Sequence, residues 1–201
     1  MFLLLACVEA APDAIDPIAG TITVESGESA EVAGLTAFGT FVGDQAGIVV
    51  SPNPDTECED AVSYFAGGDS DFNGETVGAA GYCNIYVRID DFEAGKTMVD
   101  DTSATISFNC AAGEGEWVYE TRGGGGKAWF YSGPFWVGSP TSFSLTVSGE
   151  EEGDLTVEME MSEYSGRFPY DEDNPEADPA TGEVKGGVVA EWCDGLSAGL
   201  F

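Results

Sequence analysis

An all-β domain is the fold class this sequence predicts: an antiparallel two-sheet β-sandwich, jelly-roll-like in its connections, with at most one short helix and a closed barrel as the alternative. Three observations carry the prediction. Apolar residues recur at every second position in short runs, the runs are separated by clusters of Gly, Asn, Asp and Pro, and only one stretch carries a helix-start signal.

Ile22 and Val24 mark the first alternating run. The helical exception follows at Thr56. Thr56 and Glu59 have capping-box spacing, Glu57 and Asp60 place acids in the first turn, and Gly67 supplies a stop, so a short helix is expected near residues 57–66. Ala61-Val62-Ser63-Tyr64-Phe65 reads equally as a strand. Further on, Ile85, Val87 and Ile89 alternate with Tyr86, Arg88 and Asp90. Ile106, Phe108 and Cys110 share a face opposite Thr105, Ser107 and Asn109, which aims Cys110 at the core. Trp117-Val118-Tyr119 and Trp129-Phe130-Tyr131 flank Gly123 to Gly126 and predict a hairpin. That glycine run lacks the Gly-Lys-Ser/Thr that completes a phosphate cradle. Finally, Phe143, Leu145 and Val147 match Leu155, Val157, Met159 and Met161 across the turn Gly149 to Gly153, the strongest hairpin pattern in the chain.

Composition narrows the function classes. With 37 Asp and Glu against 6 Lys and Arg, the formal net charge is −31, and His is absent. Six scattered cations form no patch able to displace phosphate counterions, so nucleic acid is excluded as a partner. Without histidine there is no Ser-His-Asp or Cys-His mechanism and no imidazole metal ligand. Leu, Ile, Val and Phe make up about 22% of the chain, just above the ~20% below which high net charge predicts disorder. With 11% aromatic residues and clean periodicity, a folded domain is expected, under constant self-repulsion.

Met1-Phe2-Leu3-Leu4-Leu5-Ala6-Cys7-Val8 is an apolar run too short for the ~20 residues of a spanning helix. Taken by composition, it is a short export signal or an N-terminal strand. Leu4-Leu5-Ala6-Cys7 resembles the lipobox of bacterial membrane lipoproteins. The resemblance covers four residues and implies that Cys7 is diacylated and becomes the first residue of the mature chain, with residues 1–6 a signal remnant. Since Val8 is not Asp, it also implies sorting to the outer membrane. Residues 7–20, with Pro12 and Pro17 and no periodicity, are then a lipid-anchored tether, and 21–201 a single domain.

The four other cysteines, Cys58, Cys83, Cys110 and Cys193, are an even set without C-x-x-C spacing, which in an exported chain points to disulfides rather than zinc. Three connectivities are open. Cys58 with Cys83 and Cys110 with Cys193 is favoured, because the first pair brackets a Gly/Asp-rich excursion and the second ties a central strand to the last one. Chain entropy assigns these loops about 3.5 and about 4.5 kcal/mol.

Three groups of residues could carry chemistry. Asp69, Asp71, Asn73 and Glu75, with Gly74, match the opening of a calcium loop, in which oxygens at alternate positions converge on a hard cation. The twelfth position, a bidentate Glu in an EF-hand, is Ala80, so closing ligands must come from elsewhere. The alternative is an exposed Asx turn. The run Asp171 to Asp178 is a weaker calcium candidate. Trp117, Tyr119, Trp129, Tyr131 and Trp136 form a sugar-stacking platform if exposed and ordinary core if buried. Carboxylates abound, so no pair is singled out for glycoside hydrolysis, and Glu158 and Glu160 read as the wet face of a strand. The expected function is non-catalytic: an exported, lipid-anchored envelope protein that is structural or binds a partner protein. The alternative is a glycan-binding module assisted by Ca2+, and a carboxylate-based hydrolase is a distant third.

Overall fold

The computed structural model describes residues 15–65, 82–99, 103–111, 117–121, 127–131, 135–150, 152–167 and 178–196. In chain order these contain the hairpins β1 (Ala19–Val24) with β2 (Ser29–Ala33) and β3 (Thr36–Val42) with β4 (Gln45–Ser51), then the helix α1 (Cys58–Phe65). β5 (Tyr82–Ile89), the two-residue β6 (Met98–Val99) and β7 (Ala104–Ala111) follow, then β8 (Trp117–Thr121) and β9 (Lys127–Tyr131). Three long strands close the chain: β10 (Phe135–Gly149), β11 (Leu155–Arg167) and β12 (Asp178–Trp192).

Every strand except β8 and β9 belongs to one ten-stranded sheet, so the expected pair of separate sheets with jelly-roll-like connections is replaced by continuous pairing. β11 bonds β10 along one edge and β12 along the other, and β12 meets β3 in a short parallel contact at Glu191 and Trp192. The path β3-β4-β5-β7-β10-β11-β12 thus returns to its start. Strand length is the reason. β10 and β12 have 15 residues each, which at ~3.3 Å per residue reach about 50 Å, more than twice an ordinary strand. A strand that long meets different neighbours at its two ends: one edge of β12 pairs with β1 from Ala180 to Lys185 and with β3 at Glu191 and Trp192, and the sheet forks between them.

Two glycines permit the fork. Gly182 and Gly186 have φ of 143° and 129°, and a Cβ on Gly182 would lie 1.9 Å from the Thr21 carbonyl oxygen, one on Gly186 2.4 Å from that of Pro17. Because the obstacle is backbone, no rotamer change relieves it. Gly182→Ala should cost about 1–3 kcal/mol in backbone strain, lowering the melting temperature by roughly 2–4 °C for each of them. Thermal unfolding followed by circular dichroism checks this, and an unchanged midpoint would show that β1 does not press on β12.

The interior holds Ile18, Ile22, Ile48, Phe108, Leu155 and their neighbours in one apolar cluster. Ile18 is buried and Ala19 already begins β1, so the folded domain starts inside the stretch expected to be tether. β4 is buried from Ala46 to Ser51 without alternation, because both of its faces are covered. Ile48 and Val50 face the interior, whereas Val49 joins Phe38, Ala61 and Leu196 in a second cluster beneath α1 on the outside. The helix lies where it is expected, but its cap is shifted by one residue. The Asp60 carboxylate accepts from the Glu57 N–H at 2.9 Å, and the Thr56 hydroxyl is taken up by Ser51 Oγ at 3.2 Å.

The disulfides join Cys83 to Cys110 and Cys58 to Cys193, correcting the favoured connectivity. β5 and β7 are neighbours in register, with Cys83 directly opposite Cys110 and their Cα atoms 4.0 Å apart, so neither sulfur has a nearer partner. Cys58 opens α1 above the residue that follows β12, Cys193, with 5.7 Å between Cα atoms.

Candidate functional site

β7 and β10 are adjacent in the main sheet, pairing Ala111 with Phe135 and Cys110 with Trp136, and the chain between them makes an excursion that contains β8 and β9. Among the described residues these two strands pair with each other alone, as the expected hairpin. Their register sets Trp117 opposite Tyr131 and Tyr119 opposite Trp129, with Val118 opposite Phe130 between them. Directly opposed positions, and those two residues along, share a face of an antiparallel ribbon. Four aromatic positions singled out by the sequence therefore fall on one face of the β8–β9 ribbon.

Trp136 does not join them. It is 1% exposed and packs in the interior beside the strand positions of the Cys83–Cys110 bridge, which removes it from any surface platform. The cause is a change of phase in β10. Buried positions are even-numbered at Trp136, Gly138 and Pro140 and odd-numbered at Leu145 and Val147, with register shifts between Pro140 and Phe143. Extending the Phe143-Leu145-Val147 alternation backwards places Trp136 on the wrong side.

The base of the ribbon also marks an end of the sheet. Tyr82, Ala111 and Phe135 are level in adjacent strands, Arg167 lies opposite Val137, and Asp178 lies opposite Gly166. The described residues bordering 112–116, 132–134 and 168–177, and the one that follows 66–81, thus share this end. Asp69, Asp71, Asn73 and Glu75 lie outside the described residues, as does Cys7. Among the described residues, no three acidic or cysteine side chains converge as metal ligands.

The outer face of β10, β11 and β12 carries a polar stretch. Ser144, Glu160 and Lys185 are level across β10, β11 and β12, as are Thr146, Glu158 and Gly187, and they line an open trough of about 450 Å3. Glu158 and Glu160 are exposed there, on the wet face expected of them. A hydrogen bond from Lys185 to Glu183, and the charges of Glu183 and Glu160, hold its ammonium above the ordinary lysine range. A second depression, of about 330 Å3, lies between β12 and the approach to α1, lined by Leu35, Phe38, Thr56, Glu57, Val189 and Glu191. The buried Tyr164 hydroxyl donates to the Met161 carbonyl at 3.2 Å, and its ring meets Phe108 edge-on at 5.4 Å. Desolvation pushes its pKa well above the usual tyrosine value of 10.0.

No family profile matches the chain, and no curated protein or solved structure is detectably similar to it.

Proposed function

We propose that this is an exported, lipid-anchored, non-catalytic interaction protein of the bacterial outer membrane, whose contact element is the β8–β9 ribbon. One observation carries the reading. Among the described residues, every other strand is tied into the main sheet, whereas β8 and β9 pair with each other, and the ribbon springs from β7 and β10, of which β7 is bridged to β5 by the Cys83–Cys110 disulfide. Two disulfides suit an oxidising compartment, and Leu4-Leu5-Ala6-Cys7 supplies the anchor. The bound partner is another envelope protein.

The ribbon's register favours one specific second reading. Paired aromatic positions on one face are what a sugar ring needs for stacking. In that reading Asp69, Asp71, Asn73 and Glu75 hold Ca2+.

The experiment is a binding screen of the chain from residue 15 onward against envelope proteins and glycans, with calcium and with a chelator. Trp117→Ala combined with Trp129→Ala should weaken binding of the captured ligand at least tenfold, about 1.4 kcal/mol, as loss of interfacial tryptophans does. A captured protein whose affinity survives both substitutions moves the contact off the ribbon. A glycan whose affinity ignores calcium at matched ionic strength retains the platform and ends the role of the Asp69 loop.

A further inference from the structure

Four large apolar side chains stand out among the described residues as exposed: Ile15 at 36%, Leu35 at 56%, Val42 at 55% and Val189 at 47%. Three of them cluster. Leu35 and Val189 line the same 330 Å3 groove. Ile15 lies over Gly187, where a Cβ would fall 2.4 Å from its Cγ2, and Gly187 is two residues from Val189 on the outer face of β12, a step of about 7 Å. Val42 belongs to the β3–β4 turn at the other end of β3.

Ile15 is also the first described residue, so residues 1–14 join the domain at this cluster. Cys7 precedes it by eight residues. Eight residues reach at most about 28 Å whatever their conformation, less than twice the radius of gyration of about 16 Å expected for a chain of this length. A tether so short keeps the surface near its attachment toward whatever holds its far end. The charges beside the cluster select the kind of surface. Asp16, Glu57 and Glu191 border it, and they repel anionic headgroups while complementing the outward ammonium groups of zwitterionic ones.

We propose that the face bearing Ile15, Leu35 and Val189 rests on a zwitterionic lipid surface. The proposal builds on the lipid-anchored reading above and adds to it the side on which the domain lies.

The test uses the full chain, purified in acylated form and reconstituted into phosphatidylcholine–phosphatidylethanolamine vesicles whose acyl chains carry bromine. Leu35→Trp and Val189→Trp are each compared with Val42→Trp, because Val42 is as exposed as Leu35 but lies outside the cluster. The added quenching at positions 35 and 189 should be at least twice that at position 42. Independently of any substitution at the surface, amide exchange of residues 35–37 and 187–190 should slow on vesicles relative to the unanchored Cys7→Ser protein. Equal quenching at the three positions with Cys7 acylated, and no slowing of exchange, overturns the proposal while the anchor stands. An N-terminal peptide mass showing unmodified Cys7 overturns the anchor and the proposal together. A lipid-free dimer that Leu35→Glu dissociates replaces the lipid surface with a second copy of the chain.

Discussion

Replacing Cys58 and Cys193 together by serine should lower the melting temperature by about 10–20 °C, the largest effect expected of any change discussed here. The two cysteines are 135 residues apart. Cross-linking a loop of that size removes chain entropy from the unfolded state worth about 5 kcal/mol, and each kcal/mol moves the midpoint by roughly 2–4 °C in a chain of this length. The folded state adds to the cost. This bridge holds α1 over Phe38 and Val49, which the main interior does not cover, so its loss loosens the second apolar cluster as well. The Cys83–Cys110 bridge spans only 27 residues, about 3.5 kcal/mol by the same reasoning, and joins strands already paired along their length. Calorimetry of the two double-serine variants under non-reducing conditions compares them. If the Cys83/Cys110 variant melts lower than the Cys58/Cys193 variant, loop entropy is not what these bridges contribute.

Trp136→Ala comes next, at about 3–5 kcal/mol, the range for truncating a buried large aromatic side chain. The side chain is almost wholly buried in the interior, opposite Cys110. Truncation leaves a cavity that the surrounding strands, held in register on both sides, close only in part. Urea unfolding should show a lower midpoint with an unchanged slope, since the surface exposed on unfolding barely alters. A midpoint within error of the parent would return Trp136 to the surface and to the aromatic platform.

The alternating runs at Ile85, Ile106 and Phe143 were legible because a strand with one wet side needs only its own pleat to place its residues. The helix at Cys58–Phe65 was legible from its acidic first turn. β3 and β4 were harder to read. α1 covers the outside of both, so Phe38 and Val49 are buried on the face where alternation calls for polar residues. Whether Trp136 is platform or core stayed open in the sequence for a related reason: the bulge between Pro140 and Phe143 shifts the phase of β10, and a periodic reading carries no phase across a bulge. Of the candidate sites, the pairing of Trp117 with Tyr131 and of Tyr119 with Trp129 was within reach, because a hairpin's register is set by its own short loop.

By itself, then, the sequence determined what neighbours along the chain determine: the β class, the β8–β9 and β10–β11 hairpins, the helix-start signal at Thr56 to Asp60 and the extreme negative charge. The tertiary structure alone decided which cysteines meet, that β11 and β12 close the sheet instead of bordering two sheets, and that Ile18 belongs to the core. Each of these depends on contacts between residues far apart in the chain. Cys58 meets Cys193 because β12 delivers the latter beneath α1, a proximity that spacing does not encode. The closure at Glu191 and Trp192 depends on how far a 15-residue strand reaches past β1, a matter of length and fork geometry that periodicity leaves open.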